Sequence, residues 1–146
     1  MLDKALLFLE REVNRYFDAH FGPSTQKWVT IGNVAKYAES ESGSGMDESS
    51  ARALLTLVNI EEDRIAKSPD NYFRTSEGII YRNPEILLNL YVLFSAIGNT
   101  YSLALETVGL IIQCFQGINV FDRSTHPDLD PSLEKLTLEL YTLNFE

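Results

Sequence analysis

Two stretches in the middle of the chain are apolar at both odd and even positions, and they limit the possible folds more than any other feature. They cover residues 53–62 and 86–94. A strand with one face in water alternates apolar and polar residues, whereas a strand covered on both faces does not. Each stretch also has the length of a long strand. We therefore predict two central strands, although a buried helix would also fit the second stretch.

Amphipathic helices are predicted before and after these strands. Apolar residues recur every three or four positions over residues 2–17, and Gly22 followed by proline ends the pattern. Asn99 and Thr100 can cap a second helix, which Gly117 ends. Its apolar positions are numerous enough for packing on more than one side.

Shorter patterns complete the predicted architecture. Residues 28–31 indicate a strand, 72–74 and 79–82 a hairpin, and 136–140 a strand whose alternation changes phase near Tyr141. With 146 residues, 45% of them hydrophobic, the chain can bury one sizeable core. We predict an α/β (α+β) fold. It is a single domain over residues 1–146, in which two main α-helices pack on a mixed, twisted β-sheet.

Residues 38–50 differ in composition from the rest of the chain. They are rich in serine, glycine and acidic residues, and they hold too little apolar surface to offset the entropy of ordering them. We predict a flexible surface loop within the domain. It could be a contact arm or a tolerant connection.

Composition disfavours several classes of function. The 21 acidic residues exceed the 12 basic ones, and the net charge of -9 would repel a phosphate backbone. The one cysteine, Cys114, rules out an internal disulfide and a four-cysteine zinc site, and it fits a reducing cytoplasm. The longest apolar stretch is shorter than the roughly 20 residues of a membrane-spanning helix. We expect no nucleic acid and no direct membrane insertion.

The densest candidate for chemistry is the acidic run Glu61, Glu62 and Asp63, followed by Arg64. Such a run could be a carboxylate pair or a set of ligands for a divalent cation, but a solvated charged turn is the commoner arrangement. The two histidines, His20 and His126, are far apart in sequence, and Cys114 lies in an apolar helix. No phosphate-binding glycine motif is present. We predict no catalytic, metal-binding or cofactor-binding residue and therefore no enzyme.

Other residues are candidates for contacts between proteins. Surplus aromatic and strand-edge residues could belong to the core or to a subunit interface. The possible subunit or tube interface comprises Glu61, Glu62, Asp63, Arg64, Tyr72, Phe73, Tyr141 and Phe145.

Several separated motifs, taken in order, resemble one known family. They are the opening MLDKAL with Leu9 and Val13, LVNIEEDR at 57–64, NLYVLFS at 89–95, FQG at 115–117 with VF at 120–121, LDP at 129–131, and KL at 135–136 continuing through ELY at 139–141 to FE at 145–146. Together they resemble the N-terminal cap domain of the cap, or tube-terminator, family of phage-tail-like contractile injection systems. The antifeeding prophage and the virulence cassettes of insect pathogens are of this type.

The resemblance implies a tail-terminator-like fold and a structural function. It implies a homo-oligomeric ring, a hexamer, that ends the inner tube and joins it to the last ring of the sheath. The implied partners are other copies of the chain, the inner tube protein and the sheath protein. The chain would assemble in the bacterial cytoplasm and become part of a phage-tail-like particle. The family pattern continues past the position of Glu146, so a further segment is expected.

Alternative functions make different predictions. An α/β sheet with an open edge could accept a foreign strand, as a peptide-binding module without catalysis does. An enzyme would instead bring Glu61, Glu62 and a histidine together in a pocket. An acidic subunit could also dock on a basic surface of the tube, which would give Glu61 and Glu62 a role in assembly.

Overall fold

The computed structural model of the chain describes residues 1–36, 51–64, 72–81, 86–97 and 100–142. The predicted loop at 38–50 and Phe145 lie outside these ranges. The helices and strands are α1 Leu2–Phe21, β1 Val29–Ile31, β2 Ala53–Glu62, β3 Tyr72–Thr75, β4 Gly78–Tyr81, β5 Leu88–Ala96, α2 Tyr101–Gly117, β6 Val120–Asp122 and β7 Lys135–Thr137. The predicted α+β class is confirmed. Within the described ranges, no helix is both long enough and apolar enough to cross a membrane.

The largest sheet has the strand order β1, β2, β5. β1 runs parallel to β2, with Val29 opposite Ala53. Backbone bonds from Asp63 N–H to the Leu87 carbonyl (2.9 Å) and from Ile97 N–H to the Arg52 carbonyl (2.7 Å) join opposite ends of β2 and β5. β5 is therefore antiparallel to β2, and the sheet is mixed, as predicted.

The prediction of two central strands is correct for β2 and wrong for β5. β2 lies between two neighbours, but only its first three residues, 53–55, are buried, and residues 58–62 are exposed. β5 is last in the strand order, and its described residues are half-buried or exposed. Apolar residues on both faces of a strand thus did not mean that both faces are covered.

The remaining strands form two separate pairs. β3 and β4 make the predicted hairpin, and Gly78 after its two-residue turn has a φ of 142°, which favours glycine. β6 pairs with β7 antiparallel. The strand predicted at 136–140 is shorter and displaced, because the ladder ends at Thr137.

The chain divides into two compact units. The first contains residues 1–56 and 94–146, and the second contains residues 57–93. The core of the first unit lies between α1, β1, the start of β2, α2 and the segment after it. Its buried apolar residues include Phe8, Val13, Phe17, Val29, Leu55, Leu110, Ile111, Phe121 and Leu129.

A stripe of polar residues on α1 binds the outer edge of β1. Glu10, Asn14 and Asp18 are four residues apart and so lie on one side of the helix. The Asn14 Oδ1 accepts the backbone N–H groups of Trp28 (2.7 Å) and Val29 (3.0 Å), and its Nδ2 donates to the carbonyls of Val29 and Glu10, both at 2.8 Å. Asn14 therefore replaces the strand that would otherwise pair with this edge.

The neighbours of Asn14 extend this contact in both directions. One carboxylate oxygen of Glu10 accepts the Ile31 N–H (3.2 Å) and the other pairs with the Lys27 ammonium (3.0 Å). Asp18 accepts the indole N–H of Trp28 at 2.8 Å. Glu10 is nearly fully buried, and its bonds to an N–H and an ammonium offset the cost of burying its charge.

Asn14→Ala tests this contact. The substitution leaves two backbone N–H groups and one carbonyl without their partner, so we expect the free energy of unfolding to fall by about 2 kcal/mol or more. Urea denaturation measures it. The control Asn59→Ala removes an exposed amide and should change stability by less than about 0.5 kcal/mol. Equal midpoints for the two variants would contradict the proposed importance of Asn14.

Candidate interaction surfaces

The acidic run begins with the last two residues of β2, Glu61 and Glu62, and its members have partners close by. The Glu61 carboxylate accepts the Tyr91 hydroxyl at 3.1 Å and the Asn59 amide at 3.3 Å. Arg64 Nε lies 3.9 Å from the Glu62 carboxylate. In the described part of the chain, no three His, Cys, Asp or Glu side chains come close enough to hold a metal ion.

The two histidines contact residues other than Glu61 and Glu62, the acids that an enzyme would bring together with a histidine. The His20 ring packs edge-on against Phe21. His126 lies 3.9 Å from the Glu12 carboxylate, and its ring packs against Phe8 and Phe121. The contact with Glu12 was not predicted, because the two residues are more than a hundred positions apart.

Cys114 has the properties of a small apolar residue. Burial, and after it the charge of Glu12, raises the pKa of its thiol to about 11. The thiol therefore stays protonated at neutral pH, whereas a nucleophilic cysteine needs the thiolate.

The predicted aromatic contact residues lie in different places. In the backbone register of the hairpin, Tyr72 is opposite Tyr81 and Phe73 is opposite Ile80. Tyr141 lies in the first unit and is exposed.

The segment after β6 is held on α1 by ion pairs. Lys4 binds the Asp130 carboxylate at 3.1 Å, and Arg11 and Arg15 bind that of Asp128 at 2.9 Å and 3.4 Å. Beneath these pairs, Phe121 and Leu129 are each only 2% exposed. Both residues belong to the motifs that carry the resemblance described from the sequence, and in this structure they help to maintain the fold.

Side chains within the same segment fix its turns. Asp130 accepts the hydroxyl and the backbone N–H of Ser132, and Asp122 accepts the same groups of Ser124 and Thr125. Bonds from the Ser132 hydroxyl, its backbone N–H and Lys4 lower the pKa of Asp130 to about 2. Bonds from the Ser124 hydroxyl and from Thr125 lower the pKa of Asp122 to about 2.

An exposed apolar stripe on α2 was missed by the sequence analysis. It consists of Tyr101, Leu105 and Val108, and we call it the α2 stripe. Tyr101 is 80% exposed and Leu105 54% exposed, and Val108 is also exposed. The spacing of four and three residues could have revealed it, but a helix apolar on most sides was expected to be covered on those sides.

Three further large apolar or aromatic residues are exposed after the C-terminal end of α2. They are Ile118, Leu140 and Tyr141. Leu140 is 75% exposed and Ile118 53% exposed. Only Tyr141 was among the residues predicted from sequence.

The second unit has its own exposed apolar residues. On β2, Val58 is 63% exposed and Ile60 43% exposed, and these two residues lie on one face of the strand. Leu93 on β5 is also exposed. We call Val58 and Ile60 the ribbon surface. Glu61 and Glu62 follow it directly on β2.

The hydrogen bonds of Asp130 from Ser132 and its ion pair with Lys4 predict a pH dependence of stability. Because folding lowers the pKa of Asp130 from 3.8 to about 2, its contribution is complete above pH 3.8 and disappears as the pH falls through about 2. Asp130→Asn should therefore lower the urea midpoint at pH 6, and its difference from wild type should shrink between pH 4 and pH 2. The control Glu77→Gln changes an exposed turn residue. A difference for Asp130→Asn that stays constant with pH would contradict this assignment.

Comparison with known proteins identifies a family over nearly the whole chain. No curated protein matches the sequence. A family model described as the Pvc16 N-terminal domain matches residues 6–146. This range includes the residues of the surfaces described above, except for Lys4, which lies near the start of α1. The chain therefore belongs to the Pvc16 N-terminal domain family.

Proposed function

We propose that the chain forms a ring of six copies that caps and terminates the inner tube of a contractile injection system and contacts the last ring of the sheath. The Pvc16 family suggests a structural component of such a system. The ring, its size and its contacts with tube and sheath are our proposal. In this role the chain assembles in the bacterial cytoplasm, joins a phage-tail-like particle and catalyses no reaction.

The observation that carries the proposal is the ribbon surface. Val58 and Ile60 lie side by side in exposed positions on β2. Isolated exposed apolar residues are common, but adjacent ones on one face of a strand are typical of a contact with another protein. Each square ångström of apolar surface removed from water contributes about 25 cal/mol. The ribbon surface is therefore the part of the second unit best suited to binding the tube.

The backbone beside the ribbon surface also suits a contact. β1 pairs with β2 at residues 53–55 only. In the described ranges, no strand continues this pairing along residues 58–60 of β2. An exposed strand edge offers N–H and carbonyl groups to another chain. A tube subunit could bind this edge through backbone hydrogen bonds in addition to apolar contacts.

The acidic residues at the end of β2 are placed at the rim of this surface. Interfaces commonly have an apolar centre and a polar rim, and charges at the rim affect orientation and the association rate more than affinity. Glu61 and Glu62 would therefore orient the chain on a tube surface that carries basic residues.

The open edge of β2 also favours a second candidate, a strand-binding module. Such a module would be a stable monomer that binds an extended peptide by adding it to the sheet. Sedimentation of the purified chain with and without isolated tubes distinguishes the two functions. A chain that sediments as a monomer, does not bind the tubes and binds extended peptides would favour the strand-binding module.

Loss of the ribbon surface should impair termination of the tube. In particles from cells that make Val58→Asp with Ile60→Asp, we expect tubes of uncontrolled length and detached sheaths, as in cells lacking the gene. Electron microscopy of purified particles measures both. The control Leu7→Asp places a charge at an exposed apolar position of α1. Normal tube lengths in cells lacking the gene would overturn the proposed function.

Reversal of the rim charges should weaken assembly at low salt. We expect Glu61→Lys with Glu62→Lys to reduce the fraction of particles that carry a cap, and the reduction should be smaller at high salt because ions screen exposed charges. Glu134→Lys, also at an exposed site, is the control. If assembly is unchanged by the double substitution, the electrostatic part of the proposal is wrong.

A further inference from the structure

We infer that the second unit, residues 57–93, opens by local unfolding in the free chain while the first unit stays folded, and that contact with the tube orders it. The part about the tube rests on the proposed function and deepens it, because it says how tube binding changes the chain. The opening itself is a property of the isolated chain, so it can be measured without a partner.

The second unit has no buried centre in the part whose side-chain exposure the structure describes, residues 57–64, 76–79 and 86–93. None of these residues is buried. Large apolar residues among them are instead exposed, namely Val58, Ile60, Ile79, Ile86, Leu87 and Leu93. The first unit, by contrast, fully buries Val13 and Phe17. Because burial of apolar surface is the dominant favourable term in folding, the second unit has the weaker driving force.

The strands of the second unit form pairs, not a wider sheet. β1 pairs with β2 at residues 53–55 only, so in the described ranges β5 is the single neighbour of β2 beyond that point. β5 is itself last in the strand order, and β3 with β4 forms a separate two-stranded sheet. A two-stranded pair by itself is marginally stable in water. Few buried contacts and backbone bonds close to water are the features of a region that opens locally.

Polar contacts between side chains add little to the stability of this unit. The Tyr91 hydroxyl donates to the Glu61 carboxylate at 3.1 Å, and Arg64 Nε lies 3.9 Å from the carboxylate of Glu62. Both contacts are exposed to water, which weakens the attraction between their charges. They orient side chains of the unit, but they do not replace a core.

The sequence of the second unit offers no disulfide and no zinc site of the usual ligands. Residues 57–93 contain neither cysteine nor histidine. In the described part of the chain, no three acidic side chains come close enough to hold another metal ion. Domains shorter than about 40 residues usually need a disulfide, a metal or another chain to fold. Of these three aids, another chain is the one that the second unit can use.

The local opening ends at residues that the first unit holds in place. Leu55 on β2 is fully buried, and the hydroxyl of Thr56 donates to the Gly32 carbonyl at 2.6 Å. At the end of β5, the ring of Phe94 lies 5.7 Å from that of Phe115. Both strands are thus anchored in the first unit, and residues 57–93 can open without loss of its core.

Contact with the tube would shift the second unit to its ordered form. A partner that binds only the ordered form stabilises that form by mass action. The ribbon surface lies in this unit and supplies apolar residues for such a contact. The cost of ordering the unit is subtracted from the binding energy, so a free copy binds more weakly than a rigid one would. The second unit is therefore fully ordered only where a tube is present.

Amide hydrogen exchange of the isolated chain, measured by NMR, tests the opening. We compare the slowest-exchanging amides of residues 57–62 and 88–93 with those of residues 8–17 in α1 and 107–111 in α2. Protection in the second unit should be at least about 100-fold lower, because its opening leaves the first unit folded. Equal protection in the two units would overturn the inference.

Substitutions in the first unit separate local opening from unfolding of the whole chain. Asn14→Ala, and the milder core change Ile111→Val, should speed exchange of the slowest α1 amides. Exchange of residues 57–62 should stay within about twofold of wild type, because these amides exchange by local opening. If either variant speeds exchange equally in both units, the chain unfolds as one body and the inference is wrong.

Exchange measured by mass spectrometry on particles that carry a cap tests ordering by the tube. Protection of residues 57–62 and of the β3–β4 hairpin should rise at least about tenfold over the free chain, while that of α1 should change less than about twofold. The hairpin is the informative part, because it is not in the ribbon surface. A rise confined to residues 57–62 would show that the surface is covered without ordering of the unit, and it would overturn this part of the inference.

Failure of the proposed function gives a different result. Particles that never carry this chain at the end of the tube would overturn the proposed function and, with it, ordering by the tube. The opening measured in the isolated chain would still stand.

Discussion

The hydrogen bonds between Asn14 and β1 are the constraint on which the first unit depends. β1 has only three residues, and β2 covers one of its edges. The other edge would expose strand N–H and carbonyl groups inside the fold, and the Asn14 amide satisfies them. With Glu10 and Asp18 beside it, this one asparagine sets both the rotation of α1 and its position along the sheet. The apolar face of α1 can then point into the core.

The other contacts of the first unit follow from the position of α1. Its basic residues bind the aspartates of the segment after β6, and Phe8 packs against Phe121 at 5.3 Å between ring centroids. At the other end, the Arg52 guanidinium lies over the rings of Phe21 and Trp28, and it also approaches Glu106 of α2. These contacts hold α2 with Thr107 and Leu110 inward. The α2 stripe is thereby directed away from the core.

Local patterns in the sequence predicted most of the helices and strands. They did not predict the interactions between residues that are far apart in the sequence. The ends of α1, the central position of β2 and the β3–β4 hairpin follow from periodicity and from glycine and proline. The side chain of Asn14 bonds to Trp28 and Val29, which lie 14 and 15 positions further along the chain. Hydrophobic periodicity does not reveal a contact made by a polar side chain. The edge position of β5 and the exposure of Leu105 depend on what covers an apolar residue. A sequence shows that a residue is apolar, but it does not show whether the same chain or another copy buries it.

The distribution of charge connects the fold with the proposed assembly. Five basic side chains, those of Lys4, Arg11, Arg15, Lys27 and Arg52, form ion pairs within the first unit. Each of these basic charges thus has an acidic partner within the same unit. Identical acidic copies attract one another only where apolar contact outweighs the repulsion. On the described part of the first unit, α2 carries a single charged residue, Glu106, and has exposed apolar residues toward its N-terminal end. Under the proposed function, the tube would bring several copies together, and the high local concentration there would favour each weak contact between them.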